Sequence, residues 1–284
     1  MGADDHTNKA GNAVSRGADS VENAVDDARD SPTVRVVARA GFVAVGLIHL
    51  LIGVIALGIA LGSSGQADQS GAVAQMAATP GGVILLWAGL IACGVLALYM
   101  ASDAVMGWSG GSSKPWMNRL KAVGQAIVFA VAAVTFGSFA LSHPSNSSEK
   151  SRTTSADLMS SGPGTVLLVI IGVALLAAAG TYVFLGITRK YEKNLRGKPS
   201  GALGDAFTVL GVVGYCAKGV ALGAVGLLIL IATAAHDPSQ QGGLDSALKA
   251  FLKQPFGGWV LGFVSVGLMA YGIYSLFRSR YQRI

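Results

Sequence analysis

A lysine, a histidine and an aspartate stand in this sequence where charge is hardest to absorb. Lys218 lies inside GYCAKGVALGAVG (214–226), His49 inside GFVAVGLIHLLIG (41–53), and Asp103 closes another apolar run four residues after Tyr99. Paired, Lys218 and Asp103 would neutralise one another, and removing either would strand its partner. Together with His49 they would supply the polar elements of a proton or ion path, the default suspicion for ionisable groups in such a setting. The plainer reading of Lys218 is a stem laid along apolar neighbours with its ammonium reaching for lipid phosphate. Both readings stay open. His49 has no second ligand at helical spacing, which favours a hydrogen-bonded core histidine over a metal ligand and leaves a proton relay as the remoter use. Cys93 and Cys216 show no metal or redox spacing and read as small packing residues. His143 and His236, in HPS and HDPS, could share a surface metal with Asp237, but helix termination explains them more simply. GSSK at 111–114 lacks the spacing of a phosphate-binding loop. The expectation is no catalytic residue, no metal and no cofactor.

The elements that carry these residues follow from composition. The chain is 52% hydrophobic and 13% charged, with a mean hydropathy of +0.54, against about a quarter charged for a soluble domain. Crossing ~30 Å of hydrocarbon takes roughly 20 apolar residues. Six stretches qualify: 40–62, 82–103, 122–142, 164–186, 208–234 and 257–277. Lys218 falls about six residues, or ~9 Å of rise, inside the fifth.

The net charge of +6 does not point to nucleic acid, because of where it lies. Lys114, Arg119 and Lys121 separate spans two and three; Arg189, Lys190, Lys193, Arg196 and Lys198 separate four and five; Arg278, Arg280 and Arg283 end span six; and Arg35 and Arg39 precede span one. The alternate loops carry only Lys150, Arg152, Lys249 and Lys253. That asymmetry puts both termini in the cytoplasm. Trp108 and Trp116 on the inner side and Trp259 on the outer suit interfacial anchoring. Residues 1–34 are polar and acidic, unlike the basic opening of a signal peptide. Val14, Ala18, Val21, Val25 and Ala28 recur at helical steps, but a disordered cytoplasmic tail is the favoured reading.

The spans repeat in pairs. Gly41, Gly124 and Gly214 open the odd spans, Gly46 matches Gly219, and Gly53 matches Gly226. Proline and glycine announce each even span, at Pro80, Pro163 and Pro255, and a tyrosine follows late in each, at Tyr99, Tyr182 and Tyr274. First glycine to tyrosine is 58, 58 and 60 residues. The units are 35–106, 116–190 and 205–280. Gly41, Gly46, Gly53, Gly214, Gly219, Gly223 and Gly226 are expected to pack helix on helix, since close backbone approach drives association in lipid. The outer loops rhyme as well: DQSGAVAQMAATP resembles GLDSALKAFLKQP. In the latter, Leu244, Leu248, Phe251 and Leu252 share a helical face and Asp245 is a candidate N-cap.

The phrase GYCAKGVALGAVG with GLDSALKAFLKQPFGGWVLGFVSVGLMAYGIY, and its looser copy GFVAVGLIHLLIG with DQSGAVAQMAATPGG, resembles the bacterial membrane family catalogued as domain of unknown function 1206. The likeness covers about residues 36–280. The middle unit departs from it, with Gln125 for the aromatic after the first glycine and Phe129 for the second glycine. The resemblance implies a small integral membrane protein of three two-helix repeats, and brings no catalytic residues with it.

The resulting expectation is an all-α protein of the bacterial plasma membrane. Its six spans form three parallel repeats, related by an axis along the membrane normal. Only the third repeat carries a lysine at this position: Val45 occupies its place in the first, and Gly186 and Arg278 align with Asp103. A single charge suits a closing contact between repeats one and three better than a ring around a pore. A non-catalytic accessory or scaffold component is therefore favoured, with the bilayer and another membrane protein as its partners. The alternative is a small transporter or channel for a proton, ion or small solute.

Overall fold

The computed structural model describes residues 32–106, 115–194, 197 and 200–281. Of the tail expected over 1–34, residues 1–31 lie outside these, as do Trp108 and the loop lysines Lys114 and Lys198. The described residues form nine α-helices. They are α1 (Pro32–Ala60), α2 (Gln69–Ala77), α3 (Gly82–Met106), α4 (Pro115–Ala140), α5 (Ser147–Met159), α6 (Gly162–Thr188), α7 (Ala202–Ala235), α8 (Gly243–Leu252) and α9 (Gly257–Tyr281). Short 3-10 turns occupy Lys190–Asn194 and Pro238–Gln240. Six helices are long and apolar enough to cross a membrane: Arg39–Ala60, Gly82–Val105, Asn118–Ala140, Gly162–Thr188, Ala202–Ala235 and Gly257–Arg280. The first helix already begins at Pro32, where proline loses no intrahelical bond.

Each repeat is an odd span, a short helix and an even span, and the corners are built alike. Odd spans end on a residue of positive φ, at Gly62, Ser142 and His236. The next amide then reaches back to a carbonyl in the last turn: Ser63 N to Gly58 O at 2.8 Å, His143 N to Ser138 O at 2.8 Å, Asp237 N to Ala232 O at 3.0 Å. These are the reach-back bonds of a left-handed helix cap. Even spans begin against the short helix: a Cβ at Gly82, Gly164 or Gly257 would run into the carbonyl of Met76, Leu158 or Phe251. Glycine after the proline is thus a steric requirement of the corner.

The closest helix pairings join different repeats. α3 of the first packs on α4 of the second, α6 of the second on α7 of the third, and α9 of the third on α1 of the first. Within repeats, α1 meets α3 and α7 meets α9, but α4 and α6 make no comparable contact. Burial follows that order: α9, wedged between α1 and α7, is 56% buried along its span and α6 only 17%. The remaining face of α6, including Val166, Ile170 and Val173, is apolar and open, as a lipid-facing helix requires. Ile48, Ile52 and Ala56 of α1, Leu86 and Leu96 of α3, Phe129 and Phe136 of α4, Ala221 of α7, and Leu261 and Leu268 of α9 share one core.

The short helices meet at one end as a polar collar. Repeat one joins repeat two through Gln66 Nε2 to Asn146 Oδ1 (2.7 Å) and Ser148 Oγ to Asp68 Oδ2 (2.8 Å). Repeat two joins repeat three through Arg152 Nε to Gln241 O (3.1 Å) and the Ser155 hydroxyl to the Gln241 side-chain oxygen. Repeat three returns to repeat one through Ala67 N to Asp245 Oδ1 (2.8 Å) and Lys249 Nζ to Gly65 O (2.8 Å). Asp245 is therefore not the N-cap of its helix. α8 starts two residues earlier, with Gly242 in that role, and the backbone amide of the neighbouring repeat takes the carboxylate.

Candidate functional site

Glycine contacts set the orientation of the lysine helix. A Cβ at Gly214 would lie 2.6 Å from Tyr271 Cα, so α7 touches α9 there. At Gly219 it would lie 2.9 Å from Ala179 O, and at Gly226 3.0 Å from Gly172 O, so that face touches α6. Repeat one uses the same positions. A Cβ at Gly41 would lie 3.0 Å from Leu96 Cδ2 of α3, and one at Gly46 or Gly53 would lie 3.1 Å from Gly272 O or 2.8 Å from Ser265 O of α9. A Cβ at Gly223 would make only ordinary contact, 3.5 Å from Ala179 Cβ. With α9 on one side and α6 on the other, Tyr215 and Lys218 reach into the wedge between them.

That wedge is filled by tyrosines. Lys218 Nζ donates to Tyr271 OH at 3.1 Å. It also lies 4.3 Å from the centroid of the Tyr271 ring and 5.1 Å from that of Tyr182. Such ring faces attract a cation by up to about 2 kcal/mol when water is excluded. One helical turn nearer the basic end, Arg278 Nη1 donates to Tyr215 OH at 2.8 Å. Tyr191 stacks on Tyr215 at 4.7 Å and its hydroxyl donates to Thr208 O at 2.9 Å. Tyr191 lies beyond the end of span four, and burial, then the Glu192 carboxylate, push its phenol up to about 12, keeping it a donor at neutral pH. Tyr274 sits among Tyr191, Phe207 and Tyr215, fully buried, its hydroxyl without a partner among the described residues.

His49 joins the cluster from α1. Its Nδ1 is 2.8 Å from Val45 O, one turn back, and its ring is 4.9 Å from that of Tyr271. Lys218 and His49 thus meet across Tyr271. The expected pairing of Lys218 with Asp103 does not form: the lysine's hydrogen bond goes to the phenol. The reason is helix order, since α3, which carries Asp103, packs on α1 and α4, whereas α7 packs on α6 and α9. Nor does the lysine snorkel, because its ammonium is turned into the ring cage. Away from the cluster, Cys93 is buried and Cys216 partly so. Asp237 is occupied by its own turn, held below the usual carboxylate range by the Ser239 hydroxyl and the Gln240 amide. Tyr215, Tyr271, Tyr191, Phe207 and Arg278 were not singled out from sequence as site residues. A signal for three of the cluster was present, because Tyr271, Tyr274 and Arg278 stand at i, i+3 and i+7 on one face of α9.

This arrangement can hold two cations in place and joins four helices, α1, α6, α7 and α9. The family model described as Domain of Unknown Function (DUF1206) matches residues 40–107, 120–189 and 213–282, one segment for each pair of spans. A protein of Bacillus subtilis (strain 168), titled Uncharacterized protein YxxB, is 24% identical over 263 residues, covering 89% of this chain and 93% of that one. No solved structure matches.

Proposed function

Given that the chain belongs to the family described as Domain of Unknown Function (DUF1206), we propose that it is a non-catalytic scaffold or accessory component of the bacterial plasma membrane. Its three repeats run parallel, with both termini in the cytoplasm. The observation that carries the scaffold reading is the fate of the polar groups a transport path would need. Lys218 is taken up by Tyr271 and two ring faces, and His49 by its own helix and the same tyrosine. Asp103 stands on α3, which packs on α1 and α4 but makes no comparable contact with α7, the helix of Lys218. Polar groups spent on inter-helix contacts strengthen a frame. The charge asymmetry of the loops supports the topology.

Single cysteines test the topology directly. A membrane-impermeant maleimide applied to intact cells should label a cysteine at Ser64 and spare one at Ser113 until the membrane is permeabilised. Equal labelling from outside overturns the arrangement. For function, purification in mild detergent should recover the chain with a second membrane protein in fixed ratio. Proton or ion flux into liposomes that disappears with Lys218→Leu would replace the scaffold with a transporter.

A further inference from the structure

The three odd spans share a register, and the middle one breaks its pattern on one side. The first glycine abuts its own repeat's even span in repeats one and three, yet a Cβ at Gly124 would meet nothing within 4 Å. The next positions along that face tell the same story. Val128, which aligns with Val45 and Lys218, is 59% exposed, whereas Tyr215, which aligns with Gln125, is 4% exposed. Nearer the collar the face closes again, with Ala132 at 3% and Thr135 at 5%. Between α4 and α6 there is thus an apolar seam, open sideways at the basic end and blocked at the other.

Two sets of cations address this seam. Lys121 opens α4 seven residues before Val128 and on the same face, and Arg189 follows α6; both are exposed at the basic end. About 10 Å further in, by the seven-residue rise from Lys121 to Val128, lies the level of Lys218. An ammonium has three N–H donors, and Lys218 uses one, on Tyr271, among the described residues. Its side chain is only partly buried, and no carboxylate pairs with it there. In hydrocarbon a spare donor calls for an acceptor.

We propose that the seam between α4 and α6 binds one anionic phospholipid of the leaflet at the basic end. The phosphate sits between Lys121 and Arg189, an oxygen of the same lipid accepts from Lys218, and an acyl chain lies along Gly124 and Val128. Charge complementarity selects this occupant over a second copy of the chain, which would bring its own cations to the same mouth. The proposal goes beyond the scaffold reading and does not depend on it.

The test uses the full chain in a non-ionic detergent, with phosphatidylglycerol, phosphatidylcholine or inorganic phosphate added. Phosphatidylglycerol should raise the thermal midpoint by roughly 5 °C, and native mass spectrometry should retain one such lipid per chain. Phosphatidylcholine and inorganic phosphate should each leave the midpoint unchanged. Lys218→Met should start from a lower lipid-free midpoint, because it gives up the bond to Tyr271, and should lose at least half of the rise measured from that baseline, since it removes a charge and keeps the stem. Gly124→Leu has open space for its side chain and should abolish the rise by filling the seam. Equal shifts with the two lipids, a full shift in both variants, a shift with inorganic phosphate alone, or a dimer in place of the lipid adduct would each overturn the site. None of these outcomes bears on whether the protein is a scaffold.

Discussion

Tyr271 holds Lys218 through its hydroxyl and through its ring face at once, so removing the hydroxyl and removing the ring test different things. Tyr271→Phe keeps the contacts to His49 and Tyr215 and leaves the ammonium over a ring. It should lower stability by about 1.5–3 kcal/mol, the range for a hydrogen bond with a charged partner. Tyr271→Leu also removes the ring and should lose about 3–5 kcal/mol, as for truncation of a buried aromatic. Thermal unfolding in detergent distinguishes them, and equal losses would mean the ring contributes nothing to holding the cation. Composition alone marked Lys218 as an anomaly, because a lone charge in an apolar run is visible without a fold. Its partner was not visible. A carboxylate is the expected complement of an ammonium, but Asp103 sits on a helix that does not reach α7, and phenols one turn apart on α9 arrive first.

At the scale of helices, the repeated glycines were legible because each interface reuses the same register. Gly46 and Gly53 meet α9 as Gly219 and Gly226 meet α6. Spacing could not say which glycine of a run faces the partner, and here the structure separates near neighbours. Gly219→Ala would set a methyl 2.9 Å from Ala179 O, a backbone atom that cannot turn aside. It should push α6 and α7 apart and lose about 1–3 kcal/mol. Gly223→Ala, with 3.5 Å to the nearest atom, should instead be neutral or gain up to about 1 kcal/mol from helix propensity. Thermal midpoints of the two variants, four residues apart on one helix, check this; a common loss would show that packing there does not depend on Gly219. The short helix α5 escaped the sequence reading for a different reason. Its residues are polar and serine-rich, so no apolar period announces it, and it forms because Asn146 caps Glu149 N and its Ser148 and Ser155 hydroxyls find collar partners.

For the molecule as a whole, the repeat predicts which helices are alike but not which are neighbours, and the tightest pairings prove to lie between units. That leaves the middle repeat in an unusual position, with α4 fixed to α3 of the first unit and α6 fixed to α7 of the third. Its two spans are tied mainly through the collar above them. Asp68 is the residue on which that tie converges: buried, it accepts from Gln66 Nε2, Ser70 Oγ, Gly71 N and Ser148 Oγ. Asp68→Ala leaves those donors without their acceptor and should lower stability by about 3 kcal/mol. It should also have a geometric signature. Spin labels at Leu141 and Val166, both exposed near the collar ends of α4 and α6, should show a longer and broader distance distribution in Asp68→Ala than in the parent. Asp245→Ala breaks the link between repeats three and one instead, where α9 and α1 remain packed along their length. It should destabilise without widening the α4–α6 distance. If both variants widened it alike, the collar would act as one rigid ring rather than as separate ties between units, and the opening of the middle repeat would have to be sought in the packing of α6 on α7.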